Sequence, residues 1–436
     1  MTTTKNNEHK KLNFSSEREQ SQVCLNSAEH EKNQGRKVLN VPNLRFKEFQ
    51  GEWEKMRLDA FTRRVMRKNK SNQSRLPLTI SAQYGLVDQI TFFNKVIAST
   101  DMSNYYLLKK GEFAYNKSYS SDYPWGAIKR LDNYEQGALS SLYICFTPQD
   151  NVESDFILQY FESPKWHKGV SEIAVEGARN HGLLNVSVQD FFHTYHYVPK
   201  DKKEQIKIAK LLMLLDERIT TQNKIIEDLK KLKCAIIEKV LNNSSCDKLR
   251  LGDVGSYIRG LTYSSNDVVE CNGTLVMRSN NIVNGSSLDY TNNVVSVNKQ
   301  ISQEQQLQDG DIVICMANGS SALVGKSSFY DGKCSLPITV GAFCGIYRSK
   351  MPITKWLFQT NRYRIYIWNS LQGGNGAIAN LNSEDILRMS FPLPDKQTVE
   401  HCTKLLSSLE SLIESNVSLC SMFSQQKEYL LRQMFI

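Results

Sequence analysis

Leu212, Leu215, Ile219, Gln222, Ile226, Leu229, Lys233, Ile236 and Val240 recur at alternating spacings of three and four. That is the period of a coiled-coil seam, and neither Gly nor Pro interrupts the chain from Lys203 to Leu241. Adding 194 to each number gives Leu406, Leu409, Ile413, Asn416, Cys420, Phe423, Lys427, Leu430 and Met434. Even the polar breaks return, an amide at 222 and 416 and a lysine at 233 and 427. An amphipathic helix packed on its own core needs no such shared register, whereas two seams that bury each other do. The charges suit a pair as well: residues 200–243 carry 11 basic and 7 acidic side chains, and residues 395–436 carry 4 and 5.

Working outward, the same offset runs through the rest of the chain. Glu54–Phe61 reappears as Asp247–Val254, shifted by 193, and Gly111-Glu112-Phe113 as Gly310-Asp311-Ile312, shifted by 199. Asn185–Asp190 matches Asn380–Asp385, and Pro199 matches Pro394, both shifted by 195. The chain therefore reads as a tandem duplication. Short β-rich runs (Ser141–Phe146, Asp311–Cys315) alternate with Gly, Asn and Ser turns and a few helical stretches, which makes the globular regions mixed α/β. The expected division is a flexible polar extension at 1–42, a first globular domain at 43–198 and a spacer helix at 199–244. A second domain at 245–393 and a C-terminal spacer helix at 394–436 complete it.

The 39 residues from Lys203 to Leu241 would span roughly 58 Å as a helix. A compact domain joins the end of the first helix to the start of the second, and the termini of such domains are often close together. A parallel pair would require that domain to bridge the whole helix. The expectation is thus an antiparallel coiled-coil stalk with one globular domain near each end.

Composition bounds the rest. The 436 residues carry 54 Lys+Arg against 45 Asp+Glu, a formal charge of +9, with 40% apolar residues, enough for real cores and incompatible with a wholly disordered chain. The longest aliphatic block, Leu211–Leu215, falls far short of a membrane span, and the polar N-terminus lacks a signal-like apolar segment. A soluble cytoplasmic protein with no membrane partner is expected. Ten cysteines form no CxxC pair, and His193 and His196 have no second pair to complete a tetrahedron, so neither metal nor disulfide is expected.

Catalytic signatures are missing. Gly319 and Gly325-Lys326-Ser327 imitate a phosphate loop, but five residues separate the glycines where four are needed. There is no Pro-Pro dipeptide, as an amino-methyltransferase would require, and no Gly-x-Gly-x-x-Gly following a strand. Asp201-Lys202-Lys203 and Asp228-Leu229-Lys230 imitate half of a nuclease motif but sit on the helix or its entry.

What remains suits nucleic acid. Arg63, Arg64, Arg67, Lys68, Lys70 and Arg75 form a run without an acid, able to neutralise phosphates. Lys117, Ser118 and Tyr119, followed by Lys129 and Arg130, mix cations with hydroxyls. In the second half Arg278, Ser279, Asn280, Asn318 and Lys326 offer similar groups, Arg favouring guanine and Asn favouring adenine.

The arrangement resembles the specificity subunit of type I restriction–modification systems. The resemblance rests on Val41–Phe46 with Gly51-Glu52-Trp53, on Tyr115–Ser118 and Gly126–Leu131, on Gly177–Leu183, which adds Arg179 and Asn180 to the candidate DNA contacts, and on the paired Pro-then-helix blocks at Pro199 and Pro394. It covers nearly everything after residue 42. It implies two target-recognition domains, each reading one half of a bipartite site in double-stranded DNA, and helices that bind two modification subunits. Those partners would carry adenine methylation with S-adenosylmethionine, and restriction subunits would add ATP- and Mg-dependent translocation and cleavage. This chain would bind no cofactor and catalyse nothing. The alternative is a stand-alone DNA-binding regulator, which would hold its site tightly without partners.

Overall fold

The computed structural model describes residues 39–174, 183–242, 247–371 and 379–436. It divides into two units, one built from the chain up to Leu215 with Gln425–Ile436, the other from Asp216–Ser424, so the division falls inside both long helices. The expected extension at 1–42 lies outside the described residues except for its end. There Asn40 is already tied in, its carbonyl accepting the Trp53 N–H at 2.8 Å.

The first unit contains β1 (Glu54–Arg57), β2 (Thr62–Arg64), β3 (Pro77–Ser81), β4 (Gly85–Asp88), β5 (Tyr106–Lys109), β6 (Phe113–Asn116), β7 (Ala127–Arg130), β8 (Gln136–Leu139), β9 (Ile144–Pro148) and β10 (Tyr195–Val198). Two four-stranded sheets run β2-β9-β6-β7 and β4-β3-β8-β5, and β1 pairs with β10. Among the described residues of this unit, only strands β3 and β8 pair in parallel. β3 is buried along its whole length, as a strand covered on both faces requires.

The second unit contains β11 (Asp247–Arg250), β12 (Gly255–Arg259), β13 (Val268–Val269), β14 (Thr274–Met277), β15 (Val295–Val297), β16 (Ile312–Cys315), β17 (Ala317–Asn318), β18 (Ser327–Phe329), β19 (Ile338–Val340), β20 (Cys344–Ser349), β21 (Ala379–Asn380) and β22 (Ser390–Leu393). Its sheets run β12-β20-β16-β18 and β13-β15-β14-β19, with pairs β11-β22 and β17-β21. The parallel pair is β14 with β19. Strand for strand, β12-β20-β16-β18 repeats β2-β9-β6-β7, β15-β14-β19 repeats β4-β3-β8, and β11-β22 repeats β1-β10.

Local devices repeat with the topology. Gly111 and Gly310 both sit at φ +84°, where the lack of a side chain avoids strain. The carboxylate that follows turns back in each case: Glu112 accepts the Lys109 N–H and Asp311 the Gln308 N–H, both at 2.7 Å. Ser187 caps the helix Val188–His193 through the Asp190 N–H, and Asn382 caps Ser383–Leu387 through the Asp385 N–H.

The central helix spans Lys202–Leu241 and the C-terminal helix Lys396–Gln433. Within the second unit they run antiparallel. Gln222 donates to Asn416, the Cys420 thiol to Asn223 at 3.4 Å, and Lys233 to Glu410 at 3.4 Å, while Arg218 lies over the Phe423 ring. Ile226, Leu406 and Leu409 are buried, and Ile219, Leu229, Ile236, Val240, Ile413 and Phe423 are half-buried. Ile237, Leu241, Cys402 and Leu406 share a core with Trp356, Leu357 and Phe391. In the first unit Leu212, Leu215, Leu430 and Met434 are buried, and Phe435 packs against Trp53, Phe156 and Tyr160.

Glu410, itself buried, receives Trp356 Nε1 at 2.9 Å and Lys355 Nζ at 2.7 Å besides Lys233, whose ammonium also donates to the Gly285 carbonyl at 2.7 Å. Burial pulls the Lys233 pKa below the usual lysine range, an effect that Glu410 opposes. Removing one partner of a buried pair leaves an uncompensated charge. Glu410→Ala should therefore cost about 3–5 kcal/mol in denaturant unfolding, whereas exchanging the exposed i,i+4 partner Glu428 for Ala should cost under about 0.5 kcal/mol.

His196 is buried between Phe61, Tyr160 and Phe161. The Thr194 hydroxyl spends its proton on the Phe191 carbonyl, so it accepts from His196 Nε2 at 2.7 Å, which leaves Nδ1 to accept from the Tyr160 hydroxyl at 2.9 Å. Both nitrogens are satisfied in the neutral ring, and burial pushes the His196 pKa from 6.5 down to about 3. Between those values the unfolded chain takes up a proton that the native ring refuses, so this contribution to stability falls as pH drops through the window. His196→Ala should cost about 2–4 kcal/mol at neutral pH and flatten the fall in melting temperature from pH 7 to 4. An unchanged acid slope would contradict this assignment.

Candidate nucleic-acid interface

In the second unit several strand ends converge. β14 runs into the turn Ser279–Asn281, β16 into Met316 and β17, and β19 into the turn Gly341–Phe343 that leads to β20. The Met277 carbonyl accepts the Gly341 N–H at 2.8 Å, and the Phe343 carbonyl accepts the Met316 and Ala317 N–H groups at 2.9 and 3.1 Å. Gly260, following Arg259 at the end of β12, lies so close that a Cβ would meet the Gly341 oxygen at 2.2 Å.

Asn281 is wholly buried and holds this surface in shape. Its Oδ1 accepts the Arg278 N–H at 2.9 Å, and its Nδ2 donates to the Asp289 and Asn292 carbonyls at 3.0 and 2.8 Å. Arg278 Nη2 donates to the Asn293 carbonyl at 3.0 Å, and Arg278 Nε is buried without a partner. Asn318 Nδ2 donates to Ser279 Oγ at 3.2 Å. Arg278, Ser279, Asn280 and Asn318 therefore stand together on one surface.

The first unit builds the same corner. Beyond β6, Lys117 and Ser118 are held by the Leu184 N–H, which donates to the Lys117 carbonyl at 2.9 Å, and by a bridge between Ser118 and Leu183. Asn116 Oδ1 accepts the Ser118 N–H at 3.0 Å, as Asn318 Oδ1 accepts the Ser320 N–H at 3.0 Å. Lys117 Nζ reaches the Val186 carbonyl at 3.4 Å, and Tyr119 is exposed. Arg179 and Asn180 lie outside the described residues.

Three of the candidate cations have acidic partners within the first unit. Arg67 Nη2 donates to both Glu112 oxygens at 2.8 and 2.6 Å. Lys129 pairs with Glu162 at 2.6 Å, and Arg130 with Asp132 and Asp155, each at 2.7 Å. Their charges are met by acids, Asp132 two residues from Arg130 and the others distant in sequence, and Arg130 stands level with Phe113, at the far end of the hairpin from Lys117. Lys68 donates to the Asn104 carbonyl at 2.8 Å and lies over the Tyr106 ring. Arg63 and Arg64 on β2 are exposed, Arg64 reaching the Tyr106 hydroxyl at 3.4 Å.

Lys326 lines an open groove of about 1250 Å³ with Tyr290, Tyr363 and Trp368. A strand, not a helix, follows Gly325-Lys326, and Gly325 backs onto Ile367 with φ +80°, so this segment is a loop between strands. Exposed residues outside the sequence-derived candidates are Arg259, at the end of β12, and Leu142 and Phe343, at matching turns. The signal for the last two was an apolar residue set among small or polar ones between two strand-like runs. Asn281→Ala, which takes the partner from three backbone groups, should cost about 1–3 kcal/mol and free the Arg278–Asn280 amides for fast hydrogen exchange.

Among the described residues no helix is long and apolar enough to cross a membrane. No protein-family model matches the chain. Over 171 residues it is 28% identical to the EcoKI specificity subunit of Escherichia coli strain K12, and over 169 residues 27% identical to the StySPI specificity subunit of Salmonella potsdam. Each match takes in 37% of this chain and 35% of the relative, so the chain spans about a third of the length of these curated relatives. Among solved structures, the type I restriction–modification S subunit from M. genitalium aligns over 91% of this chain and 99% of its own, with TM-score 0.55 and 14% identity. A further type I restriction–modification structure aligns over 88% of this chain and 97% of its own, with TM-score 0.50 and 14% identity. In fold over nearly its whole length, and in sequence over more than a third of it, the chain is similar to the specificity subunits of type I restriction–modification systems.

Proposed function

We propose that this chain is the sequence-reading subunit of a type I restriction–modification complex. Each of its two duplicated domains reads one half of a bipartite site in double-stranded DNA. The observation that carries the reading is the repetition of one strand order, ending in the same polar corner, within a fold otherwise seen in such S subunits. Two copies of a reading surface suit a target with two halves. The chain is non-catalytic in this reading. Two modification subunits dock on its helices, restriction subunits join them, and S-adenosylmethionine, ATP and Mg are held by those partners. A stand-alone regulator is the weaker reading, since the curated relatives are named as restriction-enzyme subunits.

The test is a domain exchange. Replacing residues 43–198 with the same region of a relative, in a cell that supplies the partner subunits, should change one half of the methylated sequence and leave the other intact. A change in both halves would defeat the two-module reading, and methylation by the purified chain alone would defeat the subunit reading. Within a domain, Arg278→Ala should cost about 1–3 kcal/mol at one base position. Arg63→Ala or Arg64→Ala should weaken all sequences alike and lower the salt dependence of binding.

A further inference from the structure

Leu142 and Phe343 are 65% and 68% exposed, among the barest apolar side chains of their units, and the fold puts them at the same point. The turn Ser140–Tyr143 carries the chain from β8 in one four-stranded sheet to β9 in the other, and Gly341–Cys344 does the same between β19 and β20. Tyr115 pairs with Ile144, so the register continues with Lys117 opposite Leu142. On the other side Leu78 pairs with Leu139, which brings Ser81 level with Leu142. In the second unit Cys315 pairs with Cys344, placing Met316 opposite Phe343. Met277 pairs with Val340, placing Asn280 level with it.

The two turns share no sequence, Ser140-Ser141-Leu142-Tyr143 against Gly341-Ala342-Phe343-Cys344. One exposed apolar side chain is ordinary on a protein surface. The same exposure at the same turn of both domains is different, because it stands where both sheets end and the polar groups gather. Those groups are Lys117 and Ser118 in one domain, and Ser279, Asn280 and Asn318 in the other. Packing does not explain it, since neither side chain is covered by its own domain. Base pairs present apolar surface to such a residue, as thymine methyl groups or as a step that an apolar wedge can open.

Resting on the function proposed above, we infer that Leu142 and Phe343 are the apolar base contacts of their domains, each pressing on one step of its own half-site in duplex DNA. They discriminate by contact with the bases, while the surrounding polar groups hydrogen-bond to base edges.

The test uses the full chain assembled with its modification subunits, titrated with the cognate duplex and with duplexes substituted singly across both half-sites. Phe343→Ala should weaken cognate binding about 10-fold and abolish discrimination at one or two adjacent positions of one half-site. Leu142→Ala should do the same in the other half-site only, and Phe343→Leu should restore part of the loss. Because both side chains are exposed, melting temperature and subunit assembly should not change, which separates lost contact from lost folding. Wild-type discrimination in both variants, or a loss equal for all sequences, would overturn the inference while leaving the proposed function standing. A wild-type complex without sequence-dependent binding would overturn both.

Discussion

A carboxylate taken out of water destabilises a fold by several kcal/mol unless its charge is met, and Glu410 is buried at the point where the second unit is joined together. Two elements meet its two oxygens, the central helix through Lys233 and the short helix Thr354–Leu357 through Lys355 and Trp356, while the C-terminal helix supplies the acid. Apolar seam residues would tolerate a slip of one heptad, since Leu for Ile changes little. A charged cluster does not, because a slip strands an ammonium and a carboxylate together. Gln222 and Asn416 add the same discrimination with an amide pair. The helix pair thus takes its strength from apolar burial and its register from a few polar contacts.

The first unit meets the same demand with other residues. Glu204, buried at the start of the central helix, accepts from Trp53 Nε1 at 3.2 Å and from Arg45 Nε and Nη2 at 2.7 and 2.8 Å. An indole and a cation on a buried helical glutamate therefore occur in both units, on different helices and at positions that the 194-residue offset does not relate. Glu112 and Asp311 are equivalent by turn geometry, yet their arginines come from different places, Arg67 from the segment that follows β2 and Arg348 from β20. Duplication has preserved strand order and turn shape, which the backbone dictates, and has let the charge partners be chosen afresh in each copy.

That difference decides what could be read from the sequence. The helices, their antiparallel pairing and the duplication were legible, because a three-four spacing shared between Leu212–Val240 and Leu406–Met434 is a local pattern with one geometrical meaning. Strand order was not, since Ile312–Cys315 and Pro77–Ser81 show only that a segment is buried, not beside which neighbour. Of the candidate residues, Ser279 and Asn280 stay together because one turn holds them, and Asn318 joins them through its bond to Ser279. What the sequence could not show is where a cation finds an acid far away in the chain. Glu112 lies 45 residues from Arg67, and Asp155 lies 25 from Arg130, distances at which charge patterning says nothing.

The architecture of the corner explains how its outward-facing side chains can vary without loss of the fold. In the second unit its shape is fixed by backbone groups and by Asn281, which lies beneath it with all three of its side-chain hydrogen bonds made to main-chain atoms. The side chains that face outward, Asn280 and Phe343 above all, contribute almost nothing to that scaffold. Exchanging them costs little stability, because surface positions away from caps and cores tolerate substitution. The converse holds one layer down, where β16 is buried on both faces from Ile312 to Cys315 and any change of volume is felt. Side chains at the strand ends of this unit can therefore change while the strands that position them stay fixed.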